Sequence, residues 1–88
     1  MRISQKKRDK IAEQILSLLY HSFPRQLFTS GVSEEIARDE EFTLKLLKEL
    51  EKKNLVASVK KNPQGKIYSK RTKWRLSNQA YEVYKQHQ

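Results

Sequence analysis

A run of cations in the second half of the chain has the composition of a phosphate-binding surface. Between Lys60 and Arg75 there are seven lysine and arginine residues and no carboxylate. Cationic side chains bind nucleic-acid phosphates, and each phosphate that they neutralise releases counterions. A solvated strand usually mixes both signs of charge, so this run favours contact with a polyanion over a simple solvent-facing strand.

The cations are interleaved with residues that a flexible arm would not need: Val59, Ile67, Tyr68, Trp74 and Leu76. Such a pattern predicts a folded β-hairpin with strands over 55–61 and 66–76. The connecting residues 62–65 read Asn-Pro-Gln-Gly. Proline and glycine at those positions are typical of a tight turn. The sequence therefore predicts cations that are mounted on a hairpin.

Alternation along the two strands predicts which residues share a face. Leu55, Ala57 and Val59 share one face of the first strand. Tyr68, Thr72, Trp74 and Leu76 share the inner face of the second strand, and Ile67, Ser69, Arg71, Lys73 and Arg75 share its outer face. The second strand is longer than the first, so its far end is expected to meet a short strand at 27–29.

Helical spacing of apolar residues predicts four helices, over 4–22, about 33–38, 39–53 and 78–87. The expected N-caps are Ser4, Ser33, Asp39 and Ser77, and Asn54 is expected to end the third helix in a left-handed conformation. Gly31 marks a turn before the second helix. Only 38–39 separates the second helix from the third, so the two are expected to be nearly continuous.

Three sets of apolar residues on these helices and the inner face of the hairpin are expected to build the core. The helical sets are Ile11, Ile15, Leu18 and Leu19; Phe42, Leu46, Leu47 and Leu50; and Ala80, Val83 and Tyr84.

The totals describe one small basic domain over 1–88. The chain has a formal net charge of +9 and no cysteine, which fits a nucleic-acid binder and excludes disulfides and thiol nucleophiles. His21 and His87 are the only histidines, so no metal site, cofactor, small-molecule substrate or catalytic site is predicted. No apolar run is long enough for a membrane span, so a cytoplasmic protein is expected. The abundance of Lys and Glu without Cys fits a thermophile.

The predicted order is helix, strand, helix, helix, strand, strand, helix, an α+β arrangement. The run 46–56, Leu-Leu-Lys-Glu-Leu-Glu-Lys-Lys-Asn-Leu-Val, and the later Trp74-Arg75-Leu76-Ser77 resemble the winged-helix transcription regulators of archaea and bacteria, MarR-like and PadR-like in the broad sense. The resemblance covers 33–84. It implies a three-helix core with a helix-turn-helix, a β-hairpin wing and a C-terminal helix, and it implies duplex DNA as the partner.

A second resemblance keeps RNA open as an alternative partner. The run 53–73 is similar to the wing of a small winged-helix ribosomal protein of archaea and eukaryotes. A winged helix that contacts only another protein is a third possibility.

Two groups of residues are the candidate nucleic-acid contacts. The third helix contributes Thr43, Lys45, Lys48 and Lys52, and the wing contributes Lys60, Lys61, Lys66, Lys70, Arg71 and Lys73. Arg71 is the best candidate for reading base edges or a narrow groove, because a guanidinium matches paired acceptors. Alternatively, the helix lysines form surface ion pairs, Glu41–Lys45, Glu49–Lys52 and Glu49–Lys53.

Two further features follow from the resemblance. The third helix begins with Asp39, Glu40 and Glu41, where the regulators often carry cations or small polar residues. The terminal helices carry Leu16, Tyr20, Tyr81 and Tyr84, which exceed what a small core needs. We expect these four residues to form a homodimer seam, as in related regulators.

Overall fold

The computed structural model describes residues 4–59 and 72–86. Within those ranges the chain forms four helices and three strands. In chain order they are α1 (Gln5–Ser22), β1 (Leu27–Phe28), α2 (Thr29–Glu35), α3 (Glu40–Lys52), β2 (Val56–Val59), β3 (Lys73–Leu76) and α4 (Asn78–Gln86). The order is the predicted one, and the strand predicted near residue 27 is confirmed.

The three strands form an antiparallel sheet with β3 in the centre. One edge of β3 pairs with β2, placing Trp74 opposite Ser58, and the other edge pairs with β1, placing Trp74 opposite Leu27. The meeting of β1 and β3 is therefore confirmed, although β1 lies across β3 from β2 rather than beyond its end. The predicted turn at 62–65 and most of the returning strand lie outside the described residues.

The core-facing side of β2 follows from its register with β3. Trp74 and Leu76 are buried on β3, as predicted. Their partners across the ladder are Ser58 and Val56, and Val56 is buried. Since residues directly opposite each other share a face, the core-facing side of β2 carries Val56 and Ser58, and Ala57 and Val59 lie on its other face.

The core joins all four helices to the sheet. Its largest fully buried side chains are Trp74, Ile15, Leu19, Leu47, Leu76 and Val32. The indole of Trp74 donates from Nε1 to Oγ1 of Thr29 at 2.8 Å. Because a buried indole N–H needs a partner, this bond fixes β3 against the start of α2.

Helix α2 starts four residues earlier than predicted, at Thr29. Ser33 lies inside the helix, and its hydroxyl donates to the carbonyl oxygen of Ser30 at 2.9 Å. Ser33 is therefore not an N-cap, and Gly31 is helical rather than a turn. A serine hydroxyl that bonds back to the preceding turn is satisfied within a helix, so the cap-like spacing at Ser33 was misleading.

Helices α2 and α3 are separate, because α2 ends in a hydrogen-bonded C-terminal motif before α3 begins. After α2, Ala37 has φ 54, and the N–H groups of Ala37 and Arg38 donate to the carbonyls of Glu34 and Ser33. This pair of bonds is a Schellman motif, in which the left-handed residue reverses the chain. The prediction of a nearly continuous helix is wrong for that reason.

Helix α3 begins and ends as predicted. The Asp39 carboxylate accepts from the N–H of Phe42 at 3.0 Å. At the other end Asn54 has φ 61, and the N–H groups of Asn54 and Leu55 donate to the carbonyls of Glu51 and Leu50. Asparagine tolerates this left-handed conformation better than most residues, so the loop turns sharply into β2.

Helix α4 is joined to that turn through Ser77. The Ser77 hydroxyl accepts from the N–H of Ala80 at 3.0 Å and donates to the carbonyl of Asn54 at 2.8 Å. The predicted cap is confirmed. On the helix itself Ala80 is buried as predicted, but Val83 is 52% exposed. The prediction that Val83 faces the core is wrong.

Candidate nucleic-acid interface

Helix α3 has one face in the core and one face in solvent. Thr43, Leu46, Leu47 and Leu50 are buried, whereas Lys45, Lys48 and Lys52 are exposed. At 100° per residue the three lysines lie within about 60° of arc on the side away from the core. We refer to Lys45, Lys48 and Lys52 as the lysine ridge.

Thr43 does not belong to this exposed face, and its prediction as a nucleic-acid contact is wrong. Its side chain is 0% exposed, and Oγ1 donates to the carbonyl of Asp39 at 2.8 Å. In a helix this bond lets the hydroxyl be buried beside the leucines without losing its hydrogen bond.

The lysine ridge is not neutralised by the carboxylates of α3. Glu49 forms an ion pair with Arg8 of α1. Within residues 4–59 and 72–86 no ion pair involves any of the three ridge lysines. The alternative prediction of Glu41–Lys45, Glu49–Lys52 and Glu49–Lys53 pairs is therefore wrong, and the ridge presents three cations to solvent.

The acids at the start of α3 have a structural role. Asp39 is the N-cap, and Glu40 and Glu41 occupy the first turn. Carboxylates at this end interact favourably with the helix dipole and the unpaired N–H groups. The helix thus has an acidic first turn followed by a basic outer face.

Only one of the predicted wing contacts lies in the described residues. Lys60, Lys61, Lys66, Lys70 and Arg71 lie outside them. Lys73 is half-buried on β3, on the face opposite Trp74 as predicted, and its Nζ lies 5.0 Å from the ring centroid of Phe28. A cation over an aromatic face is attracted electrostatically to the ring, so the Lys73 ammonium group is held beside Phe28 of β1.

Arg75 lies on the same outer face of β3 and is held at the start of α4. Its Nη1 donates to the carbonyl of Leu76 at 3.0 Å and to the side-chain oxygen of Asn78 at 3.2 Å. These bonds fix the guanidinium beside the sheet.

The residues predicted as a dimer seam meet within a single chain. The Tyr20 ring of α1 lies 5.4 Å from Tyr81 and 5.6 Å from Tyr84 of α4, centroid to centroid. Phe23 stacks on Tyr81 at 4.1 Å. We call Tyr20, Phe23, Tyr81 and Tyr84 the ring cluster; all four are half-buried and pack against the core.

Leu16 does not belong with these rings. It is 5% exposed and lies in the core. The prediction that Leu16 exceeds the needs of the core is wrong, since α1 buries a wider face than the spacing of its other apolar residues indicated.

The Tyr84 hydroxyl joins the ring cluster to α1. It donates to the Glu13 carboxylate at 3.1 Å. Burial, together with the negative charge of Glu13 and this hydrogen bond, raises the pKa of Tyr84 to about 12. Each factor disfavours the phenolate, so the hydroxyl remains a donor at neutral pH.

Sequence reasoning missed two residues that shape these surfaces. Arg8 pairs with Glu49 although 41 positions separate them, and no local pattern indicates such a pair. Val83 follows Ala80 at helical spacing but falls on the exposed side, because α4 touches the core along only a narrow line.

No protein-family model matches the sequence, and no curated protein matches it. Solved structures match closely in shape. MepR of S. aureus in complex with DNA superposes with a TM-score of 0.75 at 18% identity, covering 93% of this chain and 64% of MepR. This chain has a winged-helix fold. The fold predicted from the hairpin and the preceding helices is confirmed.

Two other regulators show the same fold. ZitR of Lactococcus lactis, described as a zinc-responsive MarR family member, has a TM-score of 0.67 at 20% identity, covering 99% of this chain and 52% of ZitR. PcaV, a transcriptional regulator of Streptomyces coelicolor solved with its natural ligand, has a TM-score of 0.63 at 22% identity, covering 88% of this chain and 49% of PcaV. The winged-helix chain thus spans about half to two thirds of the length of these regulators.

Among residues 4–59 and 72–86, no three His, Cys, Asp or Glu side chains are grouped so that they could hold a metal ion. In the same ranges no helix has the length and apolar character that crossing a bilayer requires.

Proposed function

We propose that this protein binds duplex DNA and acts as a transcription regulator. The observation that carries the proposal is the lysine ridge: three exposed cations, unpaired within the described residues, on the second helix of a helix-turn-helix. In helix-turn-helix proteins this helix enters the major groove. The DNA complex of MepR, which has the same fold, supports the proposal.

The ridge and the wing have different tasks in this proposal. Lysine is a compact point charge that binds phosphates better than it reads bases, so the ridge sets affinity and docking. Lys60, Lys61, Lys66, Lys70 and Lys73 add phosphate contacts, and Arg71 reads a base edge or a narrow groove. We place this activity in the cytoplasm.

Removal of the ridge tests the proposal. The triple variant Lys45→Ala, Lys48→Ala, Lys52→Ala should bind a random duplex far more weakly. If each lysine contacts one phosphate, the slope of log K against log salt should fall by about 2.7 in magnitude. Fluorescence anisotropy at several salt concentrations measures both the affinity and the slope.

A variant with the same loss of charge provides the control. Lys10, Arg25 and Lys85 are exposed cations that lie off α3, and their replacement by Ala removes three charges from other surfaces. Equal losses in the two triple variants would mean that net charge and not the ridge binds DNA. Tighter binding to a structured RNA in competition would favour the RNA alternative.

We also propose that two copies associate through α1 and α4. Tyr20, Tyr81 and Tyr84 are half-buried, and Val83, which precedes Tyr84 on α4, is 52% exposed. A second copy would cover these apolar groups, and a dimer would present two lysine ridges to a two-fold symmetric DNA site.

A charge placed at Val83 tests this association. Val83→Glu should keep the monomer folded, because the side chain is exposed, and should shift the mass measured by sedimentation from dimer to monomer. Gln14→Glu adds the same charge to the side of α1 that faces the end of α2, and it should leave the mass unchanged. A wild-type protein that sediments as a monomer would refute the proposal.

A further inference from the structure

Arg8 connects the first helix to the helix that carries the lysine ridge. Its Nη2 donates to Oε2 of Glu49, and its guanidinium carbon lies 5.8 Å from the ring centroid of Phe42. Both partners lie on α3, so the guanidinium is held between a carboxylate and an aromatic face. Planar guanidinium groups suit both contacts.

The position of Glu49 makes this contact important for the ridge. Glu49 follows Lys45 by four residues and precedes Lys52 and Lys53 by three and four. Side chains at these spacings are neighbours on a helix surface and form ion pairs readily. None of these pairs is present within residues 4–59 and 72–86, where the ion pair of Glu49 is with Arg8.

We propose that Arg8 is a positioning residue for DNA binding, which holds the Glu49 carboxylate on the α1 side of α3 and so leaves the lysine ridge free for phosphates. Without Arg8, Glu49 would turn towards Lys45 or Lys52. Each lysine so engaged would have to give up its carboxylate partner to bind a phosphate. This inference rests on the proposed DNA-binding function.

A double-mutant cycle tests the inference. Wild type, Arg8→Ala, Glu49→Ala and the double variant are titrated with a labelled duplex at several salt concentrations. Arg8→Ala should weaken binding about 1.5- to 2.5-fold, the size expected for one competing ion pair on a helix surface, and reduce the salt slope by up to about 0.9. The double variant should bind as Glu49→Ala does, because no carboxylate remains to compete for the lysines.

The Glu49→Ala variant alone gives a second prediction, which can be tested even if the Arg8→Ala protein does not fold. It should bind DNA at least as tightly as wild type, with the same salt slope. Lys10→Ala is the matched control, since it removes one exposed cation from α1. Any loss of DNA affinity that Lys10→Ala causes should be the same in the wild-type protein and in Glu49→Ala.

Three results would overturn the inference. An Arg8→Ala protein that binds like wild type would show that Glu49 does not compete. Equal losses from Arg8→Ala with and without Glu49 would mean that Arg8 contacts DNA directly. Weaker binding by Glu49→Ala would mean that the carboxylate helps the interface. If wild type itself does not bind the duplex, the proposed function fails and the inference fails with it, whereas the other results leave the function intact.

Discussion

Helices α3 and α4 both pack against α1, but they are held in different ways. Helix α3 buries four side chains, among them Leu47 and Thr43, in the core. Helix α4 buries only Ala80. It is otherwise attached through the half-buried ring cluster and the Tyr84–Glu13 hydrogen bond. One helix is anchored along its length, and the other is attached along its edge.

The difference separates two kinds of surface. Because leucines hold α3 in the core, its outer face can carry three exposed lysines that take no part in the core. The exposed side of α4 is mostly polar, but Val83 and the half-buried rings leave apolar groups partly in solvent. The basic surface suits a polyanion, and these apolar groups suit contact with a second protein chain.

The largest expected effect comes from breaking the anchoring of α3. Leu47 is fully buried, so Leu47→Ala should lower the free energy of unfolding by about 2–5 kcal/mol. Lys48→Ala, at the next position on the outer face, should change it by less than about 0.5 kcal/mol. Urea denaturation measures both, and similar values for the two variants would contradict the division of α3 into a core face and a binding face.

The fold was largely predictable because its signals are local. Asp39 and Asn54 mark the ends of α3 through their own side-chain and backbone chemistry. The burial of Trp74 and Leu76 follows from alternation along β3. The start of α2 was missed because Ser33 and the acids after it fit a helix start as well as a helix interior. Only the bond to Ser30 decides between the two.

The candidate site was predictable in part, for the same reason. The helical spacing of Lys45, Lys48 and Lys52 places them on one ridge wherever the helix lies. The pairing that leaves the ridge open was not predictable, because Arg8 and Glu49 meet only through the packing of α1 on α3. Local spacing instead favoured pairs within α3.

A smaller effect is expected at Thr43, and it sharpens the boundary between the two faces of α3. Thr43→Val keeps the shape but removes the hydrogen bond to the Asp39 carbonyl, so it should cost about 1 kcal/mol of stability. Because the side chain is buried, the affinity of the folded protein for DNA should not change. A loss of affinity with unchanged stability would place Thr43 in the interface after all.

The smallest effect at neutral pH is expected at Tyr84, which attaches α4 to α1. Tyr84→Phe removes the hydrogen bond to Glu13 and should cost at most about 1 kcal/mol at pH 8. The pKa of Tyr84 is raised from its ordinary value of 10.0 to about 12 in the folded protein. The folded state therefore holds this proton more tightly than the unfolded state does.

The sign of the pH dependence follows from that difference. The stabilisation linked to Tyr84 is fully present below pH 10, where the unfolded phenol is still protonated, and is lost as the pH rises through 12. Between pH 8 and pH 11 the urea midpoint should therefore fall more for wild type than for Tyr84→Phe. All other groups are the same in both proteins, so the difference in urea midpoint between wild type and Tyr84→Phe reports Tyr84 alone. If the difference in urea midpoint between the two proteins stays constant with pH, the phenol hydroxyl of Tyr84 does not hold α4 in place. The stacking of its ring on Tyr20 would then be the contact that does.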